Sequence, residues 1–266
     1  MKKSFRIALV FIMIVSLIAV AGCGSKAPTP APDQDKKGGD EPKILKIGSD
    51  IAYAPFEYFD EKHQPTGFDI ELMTAIAEDM GYQAEFETGA FDGLIPALQA
   101  NKYDCIISAM TIRPDRAESV KFSDPYFKAE QYIAFLEGKE YAKVEDLKNV
   151  KVGVQLNTTG QFVLEDVGQK PMKYDLMPDA LNALLHGGVQ AVVGDNQAIL
   201  AFIEANPGTT IKYVTADTGD EFYGIAFNLS NDELAGKVNA SLKKLRENGQ
   251  YDELYKKWFK GDVPEF

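Results

Sequence analysis

The chain has 266 residues and a formal charge of −12 at pH 7, with 40 acidic residues against 28 basic ones, and it carries two cysteines. Such an acidic balance argues against nucleic acid, whose phosphates need a basic surface, and against peripheral attachment to anionic lipid by charge alone. Two cysteines, one of them inside an apolar stretch, supply no disulfide framework.

The first segment reads as an export signal. Lys2, Lys3 and Arg6 precede an almost unbroken apolar run over 7–20, interrupted by Ser16 and too short for a transmembrane helix of roughly 20 apolar residues. It closes on Val20-Ala21-Gly22-Cys23, which resembles the bacterial lipobox and implies a signal peptide over 1–22 and lipid on Cys23. Removal of 1–22 makes the remaining chain three charges more negative, because Lys2, Lys3 and Arg6 leave with it. The stretch 24–43 holds Pro28, Pro30, Pro32 and Pro42 among polar residues, with no aliphatic side chain larger than alanine. It cannot bury enough apolar surface to fold, so 23–43 is expected to be the lipidated residue and a flexible linker reaching about 60 to 70 Å when extended. The expected location is outside the cytoplasm, tethered to the outer face of the cell membrane, or to its periplasmic side where an outer membrane exists.

Beyond the linker the pattern alternates. Residues 44–48 form an expected strand, and 68–80 a helix whose stripe is Ile70, Met73, Ile76, Ala77 and Met80, with Asp69 as a capping candidate and Gly81 as the stop. A strand over 84–87, a helix over 94–100 with Pro96 in its first turn, and a buried strand over 105–109 that includes Cys105 complete a parallel-sheet unit. A second set follows, with strands over 131–136, 152–155, 191–194 and 211–214 and helices over 160–167, 179–185 and 197–205. Gly187-Gly188 reads as a helix stop. The tail over 232–260 predicts two helices broken at Asn248-Gly249, with Asp252/Lys256 and Glu253/Lys257 spaced four apart on the second.

Signs of catalysis are few. His63 and His186 sit in polar, turn-like contexts away from other ligand types, and neither a nucleophile elbow nor a phosphate loop nor a paired-cysteine motif occurs, so no metal and no cofactor are expected. Polar residues do gather at expected strand ends: Asp50 and Tyr53 after the first strand, Ser108, Thr111 and Arg116 after the strand through Ile107, and Asp195 after 191–194. Ligands of open α/β sheets lie outside the carboxyl ends of strands, so these side chains can share one crevice.

Read together, Asp50-Ile51-Ala52-Tyr53-Ala54-Pro55-Phe56-Glu57, Gly67-Phe68-Asp69-Ile70-Glu71-Leu72, Leu94-Ile95-Pro96-Ala97-Leu98, Ala109-Met110-Thr111-Ile112-Arg113-Pro114-Asp115-Arg116, Phe122-Ser123-Asp124-Pro125-Tyr126-Phe127, Gly153-Val154-Gln155 with Thr158-Thr159-Gly160, and Tyr255-Lys256-Lys257-Trp258-Phe259 occur in that order. The body resembles the polar amino-acid solute-binding proteins (family 3) of bacterial ABC importers. The resemblance implies a two-lobed α/β fold of the type II periplasmic-binding-protein kind, each lobe a mixed sheet flanked by helices. Lobe 1 would hold 44–126 and 226–266, lobe 2 would hold 131–221, and a two-strand hinge would cross at 126–130 and 222–225. By the same likeness Arg116, Thr111 and backbone N–H groups near Thr158 and Thr159 would hold a ligand α-carboxylate, and Asp195 its α-ammonium. Tyr53 and Phe91 would wall the ligand side chain, whose far end would meet Asp50, Ser108 and Gln155.

Charge narrows the expected ligand. Arg116, Asp195 and Asp50 leave one negative charge over once a zwitterion is paired, so a cationic side chain is favoured, arginine first, then lysine, ornithine or histidine, with glutamine as the alternative. Glutamine-binding relatives often carry a lysine where this chain has Gln155. Two departures stand out: Asn157 occupies a position often held by glycine, and Ala109 stands where some basic amino-acid binders have a serine. The resemblance further implies a monomer that serves an importer permease and is not an enzyme, although the same fold also carries cyclohexadienyl dehydratases.

Overall fold

The computed structural model describes residues 43–265. The expected signal peptide, Cys23 and the linker up to residue 42 lie outside the described residues. In chain order the elements are β1 (Lys43–Ser49), β2 (Tyr58–Phe59), β3 (Pro65–Thr66), α1 (Phe68–Asp79), β4 (Tyr82–Thr88), α2 (Phe91–Gln99), β5 (Cys105–Ile106), α3 (Pro114–Ala117), β6 (Lys121–Phe122) and β7 (Phe127–Ala129). Then come β8 (Gln131–Leu136), a 3-10 turn (Val144–Leu147), β9 (Val152–Gln155), α4 (Thr159–Asp166), β10 (Met172–Tyr174), α5 (Met177–Leu185), β11 (Ala191–Asp195), α6 (Asn196–Ala205) and β12 (Ile211–Thr215). The chain closes with β13 (Glu221–Tyr223), β14 (Ala226–Phe227), α7 (Asp232–Glu247) and α8 (Gln250–Trp258).

Two mixed five-stranded sheets result, which define two lobes. The first runs β4-β1-β5-β14-β6, with β4, β1 and β5 parallel and β14 antiparallel to both neighbours. The second runs β10-β9-β11-β8-β12, with β8 antiparallel to β11 and β12. Between them β7 and β13 pair antiparallel, Tyr223 opposite Phe127 and Glu221 opposite Ala129.

The lobes are filled differently. Phe56, Phe68, Tyr126, Phe127, Tyr223, Tyr251, Tyr255 and Phe259 form a buried aromatic cluster under the paired β7 and β13, with ring centroids 4.7 Å apart for Phe127 and Phe259 and 4.9 Å for Phe56 and Phe127. Rings at these separations add edge and stacking attraction to the area they bury. One face of the second sheet is mostly aliphatic instead, built on Ile133, Val152, Val154, Leu164, Ala191 and Val193, with Phe135 and Tyr141 as its aromatic pair.

Several local expectations change. α2 begins at Phe91 instead of near Leu94, so Pro96 lies in the helix interior and not in the first turn. The short helix keeps its C-terminal bond, Ala100 N–H to the Pro96 carbonyl at 3.0 Å. The run 105–109 is not one strand: β5 stops at Ile106, and Ala109 turns into the left-handed region at φ 44°. Asp69 does not cap α1, whose N-terminal boundary is Gly67 at φ 128°; a side chain there would strike the Phe56 carbonyl. Asp69 is instead fully buried. On α8, Lys257 reaches Glu71 of α1 at 2.6 Å rather than Glu253 on its own helix, so it ties two helices together. Cys105 is a free, buried thiol whose pKa burial pushes up, consistent with an inert core residue.

Candidate functional site

Four strands deliver the site. Asp50 follows β1, Ser108 follows β5, Gln155 ends β9 and Asp195 ends β11, so polar side chains from both sheets meet at the carboxyl ends of their strands. A narrow cavity is lined by Tyr53, Phe91, Ser108, Ala109, Thr111, Arg116, Gln155, Thr158, Thr159 and Asp195. All ten belong to the expected set. The eleventh, Asp50, is not among the residues that line it. Its carboxylate accepts a hydrogen bond from Gln155 Nε2 at 2.7 Å, and Gln155 does line the cavity.

The charged groups are held from several directions. Arg116, on the short α3, is buried; its guanidinium donates to the Thr111 carbonyl at 2.9 Å and, across the lobes, to the Asn157 carbonyl at 2.8 Å. It also lies 5.2 Å over the Phe91 ring, so Phe91 fixes the arginine as well as walling the cavity. Asn157 takes the left-handed conformation, φ 62°, that glycine would provide, and its N–H is held by Gln161 Oε1 at 2.8 Å. Just after it the chain enters α4, whose N-terminus carries the positive end of the helix dipole. Gly160 lets α4 approach β11: a Cβ there would come within 2.9 Å of the Val193 carbonyl.

Asp195 receives three donors. Tyr53 Oη donates at 2.8 Å and Tyr223 Oη at 2.6 Å to one oxygen, while Gln131 Nε2 donates to the other. Tyr53 lies in the first lobe, Asp195 in the second and Tyr223 on β13. Together with Arg116 on Asn157, Gln155 on Asp50, and Thr159 Oγ1 on Thr111 Oγ1 at 3.1 Å, these bonds lace the lobes across the cavity.

The hydroxyl groups around the cavity each donate to protein. Tyr53 donates to Asp195, Ser108 to Glu57 at 2.8 Å, Thr111 to Glu221 at 2.9 Å, Thr158 to the Gln155 carbonyl at 2.8 Å and Thr159 to Thr111. A hydroxyl has one O–H, so toward the cavity these groups offer lone pairs only. Gln155 Oε1 is likewise buried and accepts nothing within the protein.

Burial sets the protonation. Asp50 is pushed up to about 6 by burial, opposed by its Gln155 bond. Asp195 is raised by burial against the pull of Tyr223, Tyr53 and Gln131, and Arg116 is lowered to about 10 by burial and the neighbouring Arg113 charge. Glu221, behind Thr111, is pushed up to about 7, first by burial and then by the Asp195 charge.

Gln131, Tyr223 and Glu221 were not expected here. Gln131 lies directly opposite Asp195 in the β8–β11 register, and Tyr223 and Glu221 sit on β13, so only strand pairing brings them in. Among the described residues no group of three His, Cys, Asp or Glu side chains is placed to hold a metal ion.

The chain belongs to the bacterial extracellular solute-binding proteins, family 3, whose family model matches residues 45–261. It is 34% identical over 265 residues to a probable histidine-binding protein of Neisseria gonorrhoeae, an alignment spanning 97% of this chain and 96% of that one. It is also 34% identical over 232 residues to an L-arginine-binding protein of Pseudomonas aeruginosa, covering 83% of this chain and 90% of the other. Among solved structures, an ancestral arginine-binding protein bound to glutamine superposes with a TM-score of 0.79 at 42% identity, covering 82% of this chain and 98% of that one.

Proposed function

We propose that the protein captures a basic L-amino acid, arginine foremost, and presents it to the permease of an ABC importer from a lipid tether on Cys23 outside the cytoplasm. The observation that carries the choice of ligand is the direction of the hydrogen bonds: every hydroxyl lining the cavity already donates to protein, while Gln155 Oε1 waits as a buried acceptor in front of Asp50. A guanidinium or ammonium group only donates, so it suits this lining. A glutamine side chain brings a carbonyl that also needs a donor, and an unpaired buried carbonyl costs about 1 to 3 kcal/mol.

The α-amino and α-carboxyl groups fit the opposite chemistry. Arg116 has five donors, of which two are held by carbonyls, leaving three N–H groups for a carboxylate beside the α4 N-terminus. Asp195 would take the ammonium, relieving the burial that raises its pKa. The proposed lobes follow the sheets: 44–126 with 226–266, and 131–221, crossing at 126–130 and 222–225, where β7 and β13 pair.

Relatives named for histidine and arginine, and a related structure bound to glutamine, frame the alternative, a glutamine-binding protein on the same site. Dehydratase chemistry needs a general acid at the leaving group. Glu221 has a suitable pKa but does not itself line the cavity, lying behind Thr111 and Thr159, which favours capture over catalysis. A thermal-shift screen with arginine, lysine, ornithine, histidine and glutamine tests the proposal. Arginine is expected to give the largest rise; stabilisation by glutamine and none by arginine would overturn it.

A further inference from the structure

Two carboxyl groups, Glu57 and Asp69, lie beneath the cavity with no exposure to solvent. Glu57 Oε1 accepts from Ser108 Oγ at 2.8 Å, and Ser108 Oγ itself accepts from the Asp50 N–H at 2.9 Å. Asp69 Oδ2 accepts from the Ala109 N–H at 2.8 Å and from Tyr126 Oη at 2.7 Å. The remaining oxygens, Glu57 Oε2 and Asp69 Oδ1, are sealed from water and receive no protein donor, while the two side chains are within hydrogen-bonding reach of each other.

Two adjacent ionised carboxylates cannot persist in such a place, and a single proton between them gives both orphaned oxygens a partner. Asp69 already receives two donors, which favour its ionised form, whereas Glu57 receives one. We propose that Glu57 carries this proton and donates it to Asp69, and that the acid pair positions the Ser108-Ala109 turn that lines the cavity. The pair is a positioning element: Asp69 holds the N–H of Ala109, an L-residue at φ 44°, and Glu57 orients the Ser108 hydroxyl so that its lone pair faces the Asp50 backbone.

Electrostatics run the same way. Glu57 is pushed well above the carboxylate range, first by burial and then by the Asp69 charge, while Asp69 rises only to about 6, its burial opposed by the Tyr126 and Ala109 bonds. The other titratable groups that act on the pair are Asp50, which raises Glu57 further, and the phenols of Tyr53 and Tyr126, which stay neutral because their own pKa values are raised.

The role assigned to the turn rests on the proposed ligand site, so the test separates the two. Infrared spectra of the full-length protein and its E57Q variant are compared at about pH 8.5, above the values of Asp50 and Glu221. The unmodified protein is expected to show a buried carboxylic-acid carbonyl stretch that E57Q removes; no difference would overturn the proton assignment. Calorimetry with arginine is then run on E57Q and E57A. The amide of E57Q can donate to Asp69 as the acid does, so its affinity is expected within about threefold of the unmodified protein, whereas E57A loses about tenfold or more. Equal losses in E57Q and E57A would overturn the positioning role. Failure of the unmodified protein to bind any basic amino acid would remove the functional reading, and the infrared difference would still decide the acid pair.

Discussion

The two ends of the cavity differ in how firmly their charges are fixed. Asp195 is gripped by Tyr53, Tyr223 and Gln131 from three separate elements, and Arg116 by carbonyls of both lobes with Phe91 beneath it. At the other end Asp50 faces the cavity through one amide, Gln155, whose Oε1 has no partner. On the proposed reading, the rigid end recognises what every L-amino acid shares, and the looser end decides which side chain is accepted. Discrimination would then rest on very few groups.

Breaking the rigid end should have the largest effect. Arg116→Ala or Asp195→Ala leaves an opposite charge buried and unpaired at a cost of about 3 to 5 kcal/mol, expected to lower affinity a hundredfold or more. Calorimetry finding either variant within about threefold of the unmodified protein would defeat the assignment. Asp50→Asn, at the looser end, should weaken arginine by about tenfold while leaving glutamine nearly unchanged, because the negative charge bonded to Gln155 attracts a cationic side chain and not a neutral one. Competition between the two ligands reads that ratio directly. Tyr53→Phe removes one of the three donors to Asp195, and an effect of about tenfold or less is expected in the same assay.

The smallest effect is a pH dependence. Burial holds Glu221 near 7 and Asp50 near 6, both above their values in an unfolded chain, so the folded state retains protons that the unfolded state has released. The stability these protons confer is complete below the unfolded values of about 4 to 4.5 and is lost as pH rises through about 6 to 7. The ligand-free melting temperature should therefore fall between about pH 5 and 8, by a few degrees. The rise produced by arginine should be greater at the upper end, where more carboxylates are ionised. A melting temperature that climbs over that interval would contradict the buried-acid picture.

Much of this arrangement is legible in the amino-acid sequence. The bounds of β8 and β9 follow from their apolar runs, the break between α7 and α8 from Asn248-Gly249, and the gathering of Asp50, Ser108 and Asp195 from the rule that sites form at strand carboxyl ends, whereas Gln155 comes only from the family resemblance. The missed features depend on pairing between distant residues. Glu221 and Gln131 look like ordinary surface residues until strand register places them beside Asp195. Asp69 has the chemistry of a helix cap, and only the approach of Ala109 and Tyr126 makes it a core carboxylate. The start of α2 was hidden because Ala90, at its N-terminal boundary, offers no side-chain cap.

The position of β14 in the first sheet bears on how the molecule is assembled. It lies between β5 and β6, so a strand near residue 226 is hydrogen-bonded into a sheet that opens at residue 43. The second sheet, by contrast, is drawn wholly from 131–215 and can close from contiguous chain. During synthesis from the N-terminus, the lobe that starts first is thus the last to be completed, its aromatic cluster waiting for Tyr251, Tyr255 and Phe259. Long-range pairing of this kind slows folding and leaves apolar surface open meanwhile. The unfinished first lobe is therefore the part of the newly made chain most in need of protection.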